Sequence, residues 1–394
     1  MYCRASGGIW GEIVAFPMPR FLFLDVLLHA YIAARLLPAL TGNAPVFVVV
    51  LALIVASAAL LPFALTARHT RHPARDERLT FAGLVAAGAF SSLLVLTLLR
   101  DAILLVANIL PAAWMPGDAL DLLRSASAAA VPLLAVALTS IGLGNARRVP
   151  RVKNVDVPIA DLPAPLHGFS IVQVSDLHVG PTIRRAQVEA IVDRVNGLNA
   201  DLIALTGDFV DGSVRELRAH TRPLGKLTAR HGAYFVTGNH EYYSGVHAWI
   251  AELRGLGMRV LVNEHVNLRH DGARIVVAGV TDFSAGRFVD GHASDPHRAL
   301  AGAPEDVVRL LLAHQPRSAI EAAQAGADLQ LSGHTHGGQF FPWNYVVRFY
   351  QPFTAGLHRL GKLWIYVSRG TGYWGPPKRI GAPAEITHLR LVPA

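Results

Sequence analysis

The pattern of hydrophobic positions divides the chain in two. In the first 150 residues apolar positions run on almost unbroken through four stretches, at 21–40, 44–67, 79–100 and 125–143. Each is close to the ~20 residues that a helix needs to cross the hydrocarbon core of a bilayer. Helices buried in a water-soluble unit would carry polar faces at helical spacing, and these stretches have almost none. They are therefore read as membrane spans. The second half alternates differently. Short apolar runs of strand length are separated by stretches with helical spacing, such as 184–198, with Val188, Ile191, Val192 and Val195 on one face. The pattern predicts a helical membrane domain over 1–146, a linker containing Pro150, Pro158, Pro163 and Pro165 over 147–167, and a domain of strands and helices over 168–394.

The first span could serve as a cleaved leader, with Arg20 before it and Ala30-Tyr31-Ile32-Ala33-Ala34 resembling a cleavage site, but three further spans favour a retained anchor. Met18 is a candidate true start. Basic residues set the expected orientation. Arg20 precedes span one, Arg68, Arg71, Arg75 and Arg78 separate spans two and three, and Arg147, Arg148, Arg151 and Lys153 follow span four. Four spans with both ends in the cytoplasm satisfy the positive-inside rule, which predicts a multi-pass protein of the inner membrane with its large C-terminal part in the cytoplasm. Inside the spans, Asp25 and His29 lie one turn apart and Arg100-Asp101 sits late in the third; pairing between helices is the favoured reading over a functional path.

Composition agrees with this division. Hydrophobic residues make up 52%, charged residues 16%, and mean hydropathy is +0.35, too apolar for a wholly soluble protein. Cys3 is the single cysteine, which excludes a disulfide framework and a thiolate metal site. The net charge of +8 is spread thinly, 11 basic against 7 acidic residues up to position 150 and 25 against 21 after it, so no nucleic-acid partner is expected. Histidine is the uneven residue, with 15 of 18 after residue 150.

Those histidines fall where strands end. The run 169–174 leads into Ser175-Asp176-Leu177-His178, and 202–206 into Gly207-Asp208-Phe209-Val210-Asp211. Then 232–237 leads into Gly238-Asn239-His240-Glu241, 308–313 into His314-Gln315-Pro316, and 329–331 into Gly333-His334-Thr335-His336-Gly337-Gly338-Gln339. A single Asp after a strand is usually a helix cap. Five such endings in a row point instead to one crevice at strand carboxyl ends, where ligands gather in α/β folds. Imidazole with carboxylate, and no sulfur, suits manganese, iron or zinc over magnesium or calcium.

Taken in order, Asp-x-His, Gly-Asp-x-x-Asp, Gly-Asn-His-Glu, an isolated His and Gly-His-x-His resemble the signature of the calcineurin-like metallophosphoesterase superfamily. The tail Val367-Ser368-Arg369-Gly370-Thr371-Gly372, with Pro376-Pro377, Arg379, Gly381 and Glu385, resembles its membrane-bound branch. That branch includes transmembrane proteins with a metallophosphoesterase domain and relatives acting on UDP-2,3-diacylglucosamine. The resemblance implies an α/β fold class, a four-layer α/β/β/α sandwich that follows the four transmembrane helices read from the apolar pattern. It also implies two divalent metal ions, manganese first and iron or zinc as alternatives. Asp176, His178, Asp208 and His336 would hold one ion and Asp208, Asn239, His314 and His334 the other, with Asp208 bridging. His240 would act on the phosphate, with Asp208 counted beside it as catalytic, and Asp211 and Glu241 would accept hydrogen bonds from metal-bound histidines.

Asp282 ends a further strand with its role open, and Arg369 is either a phosphate contact or a salt bridge. The aromatic stretch 340–350, which includes Arg348, forms either core or an apolar wall for acyl chains. The leading expectation is hydrolysis of a phosphodiester or pyrophosphate in a lipid-linked substrate such as UDP-2,3-diacylglucosamine, a step of lipid A biosynthesis. The alternatives are a phosphodiesterase acting on soluble nucleotides and a non-enzymatic metal-stabilised membrane scaffold.

Overall fold

The computed structural model describes residues 18–66, 73–111, 114 and 116–394. The candidate start region before Met18 and the loop arginines Arg68 and Arg71 lie outside the described residues. The chain forms two compact units, one reaching to Asn145 and taking in Gly375–Lys378, the other comprising Ala146–Trp374 and Arg379–Ala394.

The first unit is helical: α1 (Met18–Leu36), α2 (Ala44–Leu60), α3 (Pro73–Ile109) and α4 (Gly117–Arg147). Among the described residues, three helical segments, not the four expected, are long and apolar enough to cross a membrane: Met18–Leu40, Glu77–Ile109 and Gly117–Arg147. The shortfall is α2, whose 17 residues rise about 26 Å against the ~30 Å of a hydrocarbon core. Its limits are local. Asn43 caps its start by accepting from Val46 N at 3.3 Å, and Pro62, which has no N–H, follows its end.

Ile32, Leu36, Ile54, Leu93 and Val131 form the interior of this unit, yet Phe23, Leu105 and Leu133 face outward. Helices apolar on both sides are those that lie in lipid. Polar residues of these helices lie against one another. His29 Nδ1 is 2.8 Å from Asp25 Oδ1, and its Nε2 is 3.0 Å from Ser57 Oγ. Asp101 accepts from Tyr31 at 2.6 Å and Arg35 at 2.7 Å, while Arg100 donates to Ser127 Oγ at 3.0 Å.

The second unit contains two six-stranded mixed sheets. In the first, β1 (Arg151–Ile159), β2 (Ser170–Val174), β3 (Leu202–Leu205), β4 (Ala233–Phe235), β5 (Arg259–Val260) and β12 (Glu385–Pro393) lie in the order β1-β12-β2-β3-β4-β5. The second has β6 (Glu264–His270), β7 (Ala273–Gly279), β8 (Val308–Leu312), β9 (Leu329–Ser332), β10 (Gly356–Leu360) and β11 (Leu363–Val367), in the order β10-β11-β9-β8-β7-β6. Strand β1 falls inside the stretch expected as linker. It pairs in parallel with β12 along its whole length, Arg151 opposite Glu385 through Ile159 opposite Pro393, and it alternates buried Val157 and Ile159 with more exposed neighbours. Its one proline, Pro158, is tolerated because an edge strand can leave N–H positions unpaired.

Ile171, Leu202, Tyr234, Ile275, Leu310, Leu331 and Tyr366, drawn from both sheets, share one buried cluster. The opposite face of the first sheet packs Val172, Ile203 and Phe235 against Val188, Ile191 and Trp249 of helices, and that of the second packs Val276, Leu311 and Ile365 against Ala299, Ala319 and Ala322. Strands buried on both faces read as continuous apolar runs, which is why β2, β3, β8 and β9 stood out in the sequence. Strands β2, β3 and β4 run parallel in one sheet, as do β8 and β9 in the other, so the five polar endings emerge at strand carboxyl ends.

Candidate metal centre

The pairing of β2 and β3 continues past the strands. Asp176 N donates to Gly207 O at 3.0 Å, His178 N to Asp208 O at 3.0 Å and Val179 N to Phe209 O at 2.8 Å. Two loops thus run side by side with Asp176, His178 and Asp208 along them. From the other sheet, Gly333 N donates to His314 O at 2.9 Å and His334 N to Asp176 Oδ1 at 2.8 Å. Five of the seven residues expected as ligands have left-handed backbones: Asp176 (φ 55°), His178 (52°), Asp208 (57°), His334 (69°) and His336 (51°). Such residues each cost of order 1–3 kcal/mol and persist where the surroundings enforce them, typically at functional sites. Glycine permits the close approach: a Cβ on Gly333 would collide with Ser175 Oγ and Asp176 Oδ2, and one on Gly238 with Asp208 Oδ1.

The side chains converge in three sets, Asp176 with His178 and His336, Asp208 with His314 and His334, and His178 with Asp211 and His240, each offering ligand atoms within 4.8 Å of one another. In two places imidazole nitrogens face each other, His178 Nε2 and His336 Nε2 at 3.1 Å and His334 Nδ1 and His314 Nε2 at 3.2 Å. Asp208 lies between the sets, its Oδ2 3.1 Å from His314 Nε2 and 4.0 Å from both His178 Nε2 and His240 Nε2. Asn239 is buried beside them at the start of the five-residue helix Asn239–Tyr243.

This donor set fits divalent cations. Asp176 Oδ2 and Asn239 Oδ1 are buried without a hydrogen-bond partner, a costly state for a polar atom that a cation would relieve. The outward ring nitrogens are held by the protein: His314 Nδ1 donates to Thr206 O at 2.7 Å, and Asp211 Oδ1 accepts from His178 Nδ1 at 3.0 Å and His240 Nδ1 at 2.6 Å. Such bonds turn the other nitrogen of each ring toward the centre.

Electrostatics follow from burial and charge. Burial pushes the Asp176 carboxyl up, against the pull of His314. Burial would raise Asp208 too, but His314 and His240 outweigh it and hold that carboxyl well below the usual range. His314 is lifted well above its ordinary value, Asp208 overcoming burial. The positive charge His314 carries for Asp208 is the charge a cation between them would supply. His334 is pushed down to about 3 by burial and by His314, and His336 well down by burial and Arg379. Neutral imidazole is the metal-binding form. For His240, burial works downward, but Asp208 and the hydrogen-bonded Asp211 prevail and lift it to about 9.

Other expectations meet mixed outcomes. Asp211 accepts from His178, one of the residues expected as ligands, and also from His240, which is not among them, while Glu241 accepts from neither. Its buried carboxylate accepts from the backbone N–H groups of Asp208 at 3.0 Å, Phe209 at 2.7 Å and Gly238 at 2.7 Å, locking the loops together. Asp282 accepts from Ser284 N at 2.8 Å and Gln315 Nε2 at 3.0 Å, beside the His314 loop. Arg369 pairs with Glu385 at 3.3 Å.

Arg379 is the contributor whose role sequence reasoning missed. It is 1% exposed, donates to the carbonyls of Arg369 at 2.7 Å, His336 at 3.1 Å and Ala382 at 3.1 Å, and its Nη2 lies 3.0 Å from His336 Nδ1. A guanidinium has the five donors in fixed array that such a cradle needs.

Residues 169–338 match the calcineurin-like phosphoesterase family. A transmembrane protein with metallophosphoesterase domain from Bos taurus is 42% identical over 295 residues, covering 71% of this chain and 66% of that protein. Its counterpart of the same name in Danio rerio is 40% identical over 271 residues, covering 66% of this chain and 62% of that protein. An uncharacterized metallophosphoesterase of Campylobacter jejuni is 36% identical over 261 residues, with coverage of 66% and 68%. The chain therefore spans about two thirds of the length of these curated relatives. By that kinship the chain belongs to the calcineurin-like metallophosphoesterase family.

Proposed function

We propose that this chain is a membrane-anchored, dinuclear metal-dependent phosphoesterase that hydrolyses a phosphodiester or pyrophosphate bond. The observation that carries the reading is Asp208, one carboxylate bordering both donor sets at 3.1 Å and 4.0 Å. Asp176, His178, Asp208 and His336 would hold one divalent cation, and Asp208, Asn239, His314 and His334 the other, manganese first and iron or zinc as alternatives. Such a pair supplies a water of lowered pKa and neutralises charge on the transferring phosphate. His240 then faces the phosphate, its Nδ1 anchored on Asp211 at 2.6 Å, leaving Nε2 to donate a proton toward the leaving oxygen. Glu241 and Arg379 keep the ligand loops rigid around that reaction.

The three buried clusters support a four-layer α/β/β/α arrangement for the catalytic domain, 168–394, with β1 added at its edge. The proposed substrate is lipid-linked, UDP-2,3-diacylglucosamine being the instance that the family resemblance suggests. Three apolar helices hold the chain at a bilayer, and Phe341, Tyr345 and Phe349 present rings that are 55, 54 and 86% exposed, as interfacial aromatics do. The basic flank of the last helix, Arg147, Arg148, Arg151 and Lys153, supports a cytoplasmic face of the inner membrane. The test is purified full-length protein in detergent with manganese, assayed on a diacyl pyrophosphate-linked lipid and on cyclic nucleotides. Turnover of the lipid is expected; rapid turnover of cyclic nucleotides with none of the lipid would overturn the lipid-linked assignment.

A further inference from the structure

We infer that Asp282 is a positioning residue for the cation assigned to Asn239 and His314, because it ties together the two strand endings that carry them. The inference rests on the dinuclear reading and adds what sets the spacing of two of its ligands. Asn239 follows β4 of the first sheet and His314 follows β8 of the second, so no ladder of strand pairing fixes the distance between them. Strand β7 pairs in parallel with β8, and the pairing continues past the strands, Val280 N donating to Leu312 O at 3.0 Å. The apolar run of β7 thus leads through Thr281 to Asp282, beside the turn that carries His314 and Gln315.

Asp282 reaches both sheets. Its side chain serves the second, Oδ1 and Oδ2 accepting from Gln315 Nε2 at 3.2 and 3.0 Å, one residue beyond His314. Its backbone serves the first, N donating to Thr237 Oγ1 at 3.3 Å, two residues before Asn239. Ser284 N and Oγ donate to Oδ1 at 2.8 and 2.5 Å and fix the carboxylate within its own turn. Asp282 and Thr237 are fully buried. The donors to the carboxylate are all uncharged, and among the described residues it pairs with no lysine or arginine. A buried carboxylate without a cation is a costly arrangement that a plain packing residue would avoid. Asp282 lies within electrostatic reach of His314, so divalent charge held there offsets the cost, and the acid in turn strengthens the hold on that cation.

The experiment titrates the full-length manganese-loaded protein with a chelator and counts the cations retained by elemental analysis. The unmodified protein is expected to hold two. In Asp282→Asn one of them is expected to leave at a chelator concentration lower by about tenfold while the other stays as firmly held, the size of effect seen when a group that orients metal ligands is changed. Gln315→Leu removes the donor and leaves the acid with Ser284. It is expected to loosen the same cation, and the double variant no more than the stronger single one, because both changes break one contact. Saturating manganese is expected to restore phosphodiester turnover in Asp282→Asn to within about twofold, which a chain that had lost its fold would not allow. Cation retention untouched in both variants, both cations loosened alike, losses that multiply in the double variant, or turnover that manganese does not restore overturns the role of Asp282 while leaving the dinuclear reading standing. Unmodified protein that holds fewer than two cations overturns that reading, and the positioning role with it.

Discussion

Replacing Asp208 with Asn is expected to lower kcat by on the order of 10³-fold while the protein still folds and inserts into the membrane. The substitution keeps the shape. An Asn carbonyl can still accept the His240 backbone N–H that Asp208 Oδ1 now receives at 2.9 Å, so the local turn survives. The charge does not survive. The Oδ2 position that lies 3.1 Å from His314 Nε2 becomes an amide N–H₂, which donates to the lone pair His314 would offer a cation. Both donor sets lose their shared carboxylate at once. Turnover on a phosphodiester, read beside circular dichroism and membrane fractionation, checks this; turnover near that of the parent protein would remove the two-cation mechanism.

Asp211→Asn is expected to be the next most damaging change, lowering kcat/KM by about 10–100-fold. One carboxylate oxygen accepts from His178 Nδ1 and His240 Nδ1, at 3.0 and 2.6 Å, so it aligns a metal-site residue and the proposed proton donor together. Charge-assisted bonds of this kind are about twice as strong as neutral ones, and a neutral amide keeps the oxygen without the charge. Weaker cation retention, measured by competition with a chelator, should accompany the slower turnover. Loss of turnover with cation affinity untouched would confine Asp211 to serving His240.

Much of this centre was legible in the chain because its chemistry sits on a repeated device. Apolar strands that end in Asp, Asn or His are visible as a hydrophobic run followed by a polar residue, in β2, β3, β4, β8 and β9 alike, and in β3, β4 and β9 a glycine stands beside it. What stayed hidden depends on distances between remote residues. Glu241 looks like any acid after a histidine, and only the folded loops show three backbone N–H groups aimed at it. Arg379 sits in a Pro-rich tail that reads as surface, yet it is buried against His336, 43 residues away in sequence.

Strand β1 reads as linker because its pairing partner, β12, lies at the other end of the chain. Helix α2 was overcounted for a different reason. Composition sees an apolar run through residue 67, but Pro62 ends the regular helix before that run is finished. Local pattern thus located the residues that converge in the donor sets, while the residues that hold those loops in place came from contacts that no local pattern encodes.

The most direct measurement is the number of divalent cations bound per chain in the purified full-length protein, counted by elemental analysis and set against phosphodiesterase activity before and after chelation. Two cations per chain, activity lost on their removal and regained on adding manganese, and no more than one cation retained in Asp208→Asn, is the predicted result. Undiminished hydrolysis by protein stripped of divalent cations would contradict it.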